Sequence, residues 1–176
     1  MPIFSKTPIY IMTKYILTGG PGVGKTTLIN KLGEMGYMTV QEVARQVIQE
    51  EQEKESVNYK PITHWNDLER FQDLVIERQL FEEAKVKRKK SACFLDRSLV
   101  DNIAYCELSK ARIRADINSL INRAGYSVVF YLEQLENYTK DEQRKENRYE
   151  AKRTHKKLLE VYEGFGFDII KLPPVG

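Results

Sequence analysis

Short apolar, β-branched and aromatic runs recur along the chain at Tyr15–Thr18, Met38–Gln41, Ala92–Asp96, Ser127–Leu132 and Phe167–Leu172. Runs this short and this continuous read as strands buried on both faces. Between them the apolar spacing changes to three and four. Leu28, Ile29, Leu32 and Met35 form one stripe over Thr26–Met35, which Gly33 or Gly36 can end. Val43, Val47 and Ile48 mark a second helix. The longest, His64–Lys90, carries Leu68, Phe71, Leu74, Val75, Leu80, Phe81 and Ala84 on or near one face. Ala111–Ala124 repeats the pattern through Ile113, Ile117, Leu120 and Ile121, with Gly125 placed as a cap. Asp141–Glu163 begins polar and ends apolar through Leu158, Leu159, Val161 and Tyr162. Strands alternating with helices predict an α/β fold with a parallel sheet and right-handed crossovers.

The length of 176 residues suits one domain. The apolar share of 41% is enough for a core, which sets the chain apart from disordered and collagen-like sequences. A net charge of +3 does not call for a nucleic-acid partner. Cys93 and Cys106 have no neighbouring Cys or His at metal-ligand spacing, so they read as small buried residues in a reducing, cytoplasmic setting. No apolar run approaches the roughly 18 residues of a membrane span. Residues 1–13 read as an N-terminal extension and 14–176 as the domain.

The chemistry concentrates in Gly19-Gly20-Pro21-Gly22-Val23-Gly24-Lys25-Thr26, which fits G-x-x-x-x-G-K-[ST] at every fixed position. It follows one predicted strand and opens one predicted helix. Small residues let successive backbone N–H groups approach phosphate oxygens, and the helix N-terminus adds partial positive charge. Lys25 can carry a full charge to the β- and γ-phosphates, and the Thr26 hydroxyl can ligate Mg²⁺, with Thr27 beside it. Cys93-Phe94-Leu95-Asp96 ends a strand with a carboxylate. Asp96 is the expected second Mg²⁺ residue, acting through water, or else the cap of a following helix.

Around this loop the chain resembles the AAA-domain ATPases of the NadR-like nucleoside-kinase branch. The resemblance rests on Leu17–Thr27, on Gln41-Glu42-Val43-Ala44-Arg45-Gln46-Val47-Ile48, and on Glu77-Arg78-Gln79. It continues through Phe94-Leu95-Asp96-Arg97-Ser98 with Asp101 and Ala104-Tyr105, and through Asp141–Pro173 with Glu150-Ala151, His155 and Tyr162. It implies a three-layer, adenylate-kinase-like P-loop domain with strand order 2-3-1-4-5, a helical lid, and binding of Mg²⁺ with nucleotide.

Kinases of nucleosides and nucleotides place a carboxylate after the second strand and an Arg after the third, flanking the acceptor. Glu42 and Arg97 are similar in placement. Glu42 then takes the acceptor's proton or orients water, and Arg97 neutralises charge in transfer. An equal reading makes Glu42 a helix-start carboxylate paired to Arg45. The lid is expected over about residues 137–153, with Arg144 and Arg148 on one helical face and Lys140 and Lys145 next to them, against the alternative of a solvated charged helix. Phe71-Gln72 is weakly similar to a base-reading stretch. No N-K-x-D guanine reader is present, which favours ATP over GTP. The expected function is an Mg²⁺-dependent ATPase or phosphotransferase acting on a small acceptor or water. The alternative is a regulatory module that binds ATP or GTP without turnover.

Overall fold

The computed structural model describes residues 12–86, 92–134 and 148–174. In chain order its elements are β1 (Thr13–Thr18), α1 (Lys25–Glu34), β2 (Met38–Val40), α2 (Val43–Glu53), α3 (Leu68–Lys85) and β3 (Ala92–Asp96). They continue with α4 (Leu99–Ser109), α5 (Ile117–Ala124), β4 (Tyr126–Leu132), α6 (Arg148–Gly164) and β5 (Asp168–Leu172). The strands form one parallel sheet in the order β2-β3-β1-β4-β5. This is the expected order 2-3-1-4-5, with helices on both faces.

Strand alternation divides the core. Leu17, Phe94, Phe130, Leu132 and Leu172 face α1, where they meet Val23, Leu28, Ile29 and Leu32. On the other face Ile16 and Val129 pack against Leu99, Ile103, Leu158 and Tyr162 of α4 and α6. Cys93 and Leu95 pack against Val43, Val47, Phe71 and Val75 of α2 and α3. Cys93 and Cys106 are free and buried, and burial pushes both thiols up to about 11, so they serve as packing residues. No helix among the described residues is long and apolar enough to cross a membrane.

Local chemistry sets the element ends. After α1, Gly36 takes a left-handed φ of 87° while the Tyr37 N–H reaches back to the Leu32 carbonyl at 3.1 Å. Gly125 ends α5 in the same conformation. The Asp67 side chain caps α3 by accepting the Arg70 N–H at 3.1 Å. Two expectations change. The long helix expected from His64 opens at Leu68, where Asp67 caps it. Ala111–Ala124 is not one helix, because α4 runs to Ser109, Lys110 closes it at φ 55°, and helix resumes only at Ile117. The helix α4 had no visible stripe in the sequence: Leu99, Val100, Asp101, Asn102, Ile103, Ala104 and Cys106 are all buried, so no polar face marks its period. Most of the expected lid stretch, with Arg144, Lys140 and Lys145, lies outside the described residues.

Candidate functional site

The site lies where β1, β2 and β3 deliver their carboxyl ends, the usual ligand crevice of an open parallel sheet. β1 turns directly into α1 through Gly19–Gly24. Three glycines of this turn hold positive φ: Gly19 at 137°, Gly22 at 75° and Gly24 at 90°. At Gly19 a Cβ would also stand 2.7 Å from the Leu132 carbonyl oxygen, so only glycine fits. Pro21 and Val23 are buried, and Val23 plugs the loop into the α1 side of the core. Gly22, Thr26 and Thr27 are exposed. Gly24 is the N-cap of α1 and supplies no side chain to the first-turn N–H groups, an arrangement suited to an anion.

Lys25 is buried and curls back over its own loop. Its Nζ donates to the carbonyls of Gly19 at 2.9 Å and Gly20 at 2.8 Å. The Gly20 N–H, expected among the phosphate donors, instead donates to Nδ1 of His155 at 2.9 Å.

Asp96 ends β3 fully buried, and the Thr26 hydroxyl donates to its Oδ2 at 3.2 Å. Oδ1 has no hydrogen-bond partner among the described residues. Burial pushes the Asp96 carboxyl up from its ordinary range, opposed by Lys25, and the charge of Glu42 adds to the rise. A buried carboxylate oxygen without a donor, next to a hydroxyl, fits a hydrated divalent cation that takes few protein ligands. Among the described residues no group of three His, Cys, Asp or Glu is placed to hold a metal ion.

Arg97 follows Asp96 at φ 73°, a conformation that costs a non-glycine residue about 1–2 kcal/mol. Its surroundings enforce it. The backbone N–H donates to the Leu17 carbonyl at 3.0 Å, Nε donates to Glu42 Oε1 at 3.0 Å, and an Nη donates to Asp101 Oδ1 at 3.2 Å. The guanidinium lies 5.4 Å from the Tyr105 ring centre. Glu42 is the N-cap of α2, and its second oxygen accepts from Arg45 at 3.0 Å. Glu42 thus starts a helix, pairs with Arg45 and faces Arg97.

The spacing of residues marks only part of the support behind Arg97. Asp101 accepts from the Thr18 hydroxyl at 2.9 Å, the Ser98 N–H at 2.9 Å, Arg97 and the Tyr162 hydroxyl. Ser98 and Asp101 form a capping box on α4, a signal that Ser-x-x-Asp carries in the sequence. Tyr162 comes from α6, and no local pattern reports its reach. Burial together with Asp101 pushes its phenol far above the ordinary value, so it stays protonated and donates. Next along α4, Asn102 donates to Gln72 Oε1 at 2.7 Å, both side chains being buried. Arg148 opens α6 exposed, and among the described residues no hydrogen bond joins it to the loop.

This architecture matches solved P-loop proteins along nearly its whole length. A NadR protein in complex with NR superposes with a TM-score of 0.65 at 17% identity, covering 92% of this chain and 45% of that one. A deoxyadenosine kinase from M. mycoides with bound dATP gives 0.61 at 16%, covering 91% and 90%. A thymidylate kinase from Ehrlichia chaffeensis gives 0.61 at 14%, covering 94% and 88%. The chain therefore spans less than half the length of the NadR chain and most of the length of the two kinases. No curated protein matches it. At these identities the likeness shows the fold alone, a parallel sheet of order 2-3-1-4-5 between layers of helices. The profile of the AAA domain family matches residues 14–176, which covers the sheet from Lys14 onward, the phosphate loop and the Asp96-Arg97 corner, and the chain belongs to that family.

Proposed function

We propose that this protein is an Mg²⁺-dependent, ATP-using phosphotransferase with a small acceptor of nucleoside or nucleotide type. The observation that carries the reading is the meeting of three parts in one crevice: a phosphate loop with a buried Lys25, the Thr26–Asp96 pair with its unpartnered oxygen, and the Glu42–Arg97 ion pair. A binding loop alone needs no acid–arginine pair beside it. The NadR complex with NR and the deoxyadenosine kinase complex with dATP support ligands of the same class.

In this reading the N–H groups of Gly22–Thr26 receive the phosphates, and Lys25 swings from the Gly19 and Gly20 carbonyls to the β- and γ-oxygens. Thr26 and Asp96 hold Mg²⁺, which when bound neutralises charge on those oxygens. Arg97, fixed by Asp101, faces the transferring group. The acceptor hydroxyl bonds Glu42 beside Arg97. Its oxygen attacks the γ-phosphorus, the bond to the bridging oxygen breaks, ADP leaves, and the proton passes to Glu42. Gln72 and Asn102, one turn further along, offer amide groups to an acceptor base. We assign residues 14–176 to this domain, 1–13 to an extension and about 137–153 to a lid that brings Arg144 and Arg148.

The test is titration of Mg-ATP into the wild type and Lys25→Ala, followed by ADP release across nucleosides and nucleoside monophosphates. Binding lost in Lys25→Ala, with ADP release that needs one acceptor class, is the expected result. Acceptor-independent release makes the protein an ATPase. Tight binding without release makes it a regulatory module. No binding by the wild type removes the reading altogether.

A further inference from the structure

Helix α6 bonds the phosphate loop through His155. The His155 ring lies against Tyr131 of β4, centroids 4.5 Å apart at 33°, and the Tyr131 hydroxyl donates to the His155 carbonyl at 2.8 Å. The Nδ1 of the ring accepts the buried Gly20 N–H at 2.9 Å. Contact here is close. A Cβ on Gly20 would stand 2.9 Å from His155 Cβ and 3.1 Å from the Ala151 carbonyl.

The Gly20 N–H and the Gly19 C=O belong to the same peptide group. That group is planar and trans, so the two bonds point in opposite directions. When the N–H is fixed on His155, the carbonyl is turned the other way. It meets Lys25 Nζ at 2.9 Å. A rotation of this peptide would break both bonds together. The acceptor at Nδ1 must be unprotonated, since an imidazolium would aim an N–H at an N–H. Burial, with the charge of Lys25 added, pushes His155 down to about 4, which keeps that form at neutral pH.

We propose that His155 is a positioning residue for the phosphate loop, orienting the Gly19–Gly20 peptide so that the loop keeps its shape and Lys25 rests over it until a triphosphate draws the ammonium off. The proposal deepens the nucleotide-binding reading and rests on it for its consequence, though not for its geometry. It also removes the Gly20 amide from the phosphate cradle, which then begins further along the loop. A ring that only filled space against Tyr131 would need no acceptor nitrogen.

Two substitutions separate acceptor from ring. His155→Phe keeps a ring for Tyr131 and loses the acceptor. His155→Asn keeps an acceptor at the same branch of the side chain and loses the ring. In Mg-ATP titrations the Phe variant is expected to raise Kd about five- to tenfold, the worth of one such bond, with Asn within about twofold of wild type. A readout that needs no nucleotide accompanies this: the protected Lys25 ammonium signal and Gly20 amide exchange, followed by NMR. Both are expected to survive in Asn and to be lost in Phe. Wild-type affinity or an unaltered Lys25 signal in the Phe variant overturns the proposal, as does a Gly20 amide that exchanges freely in the wild type. If the Phe variant fails to fold, the wild-type amide and the Asn variant still decide. A wild type that binds no triphosphate overturns the functional reading instead, and the Lys25 signal then judges His155 alone.

Discussion

Asp96→Asn should make the ligand-free protein more stable while removing its Mg²⁺ response. The side chain is fully buried, and a carboxylate offers about four acceptor positions. One is met, by the Thr26 hydroxyl at 3.2 Å, and Oδ1 meets none. Leaving a buried charged acceptor unmade costs at least about 1–3 kcal/mol, of which the attraction of Lys25 and Arg97 returns a part. An amide fills the same volume, keeps the Thr26 bond, and removes the charge, so a net gain of about 2 kcal/mol is expected. For a chain of this length each kcal/mol moves Tm by about 2–4 °C, which gives a rise of about 4–8 °C by scanning calorimetry in EDTA without nucleotide. In the same variant the extra stabilisation that Mg²⁺ adds over ATP alone should vanish, and Mg²⁺-dependent turnover should fall about 10–100-fold, the usual loss when a water-linked metal partner is removed. An unchanged or lower Tm in EDTA would refute the reasoning, because it would mean that Lys25 and Arg97 already compensate the carboxylate in full. The two halves of the prediction have opposite signs, so a general loss of folding cannot imitate them.

Arg97→Met strips a counterion from the buried Glu42 and Asp101 carboxylates, and chemical denaturation should show a loss of about 3 kcal/mol that Asp101→Asn in the same background recovers in part. Glu51 is buried with the Lys54 ammonium, the Tyr59 hydroxyl and the Ile62 N–H on its oxygens. Burial alone would raise this carboxyl, and those three donors overcome it and bring it from 4.5 to about 2. A depressed carboxylate stabilises the fold above its unfolded value and loses that contribution as pH falls from about 4.5 through 2. Glu51→Gln should lower stability at pH 7 and flatten the acid limb of the denaturation curve in that window; an identical limb in both proteins would count against the assignment.

The strands were legible because each is a continuous apolar run, and the sheet observed begins and ends within a residue or two of those runs. The phosphate loop was legible because its chemistry is contiguous: three positive-φ glycines, a lysine and a threonine within eight positions. Glu42 and Arg97 stand 55 residues apart, yet their meeting followed from the rule that strand ends converge in a doubly wound sheet. What hid was of another kind. The Gly20–His155 bond spans 135 residues and the Tyr162–Asp101 bond 61, and neither partner leaves a periodic or compositional trace. A histidine or tyrosine on an amphipathic helix reads as packing until the fold shows which polar atom it meets.

Those long-range bonds have a common direction. Thr18, Ser98, Tyr162 and Arg97 all converge on Asp101 from behind the crevice, while Lys25, Gly20 and His155 close a second set on its α6 side. The Asp101 set is buried, His155 in the second is half-buried, and the hydrogen bonds of both leave their members little freedom to rearrange. The strained φ of Arg97 survives because three such bonds hold it. In front of them stand an uncapped helix start and an unpartnered Asp96 oxygen. The chain thus leaves polar groups unsatisfied beside the phosphate loop and satisfies those that hold Arg97 and Lys25. A site organised this way meets incoming charge with groups already aimed, and the reorganisation that water would need has been completed by folding.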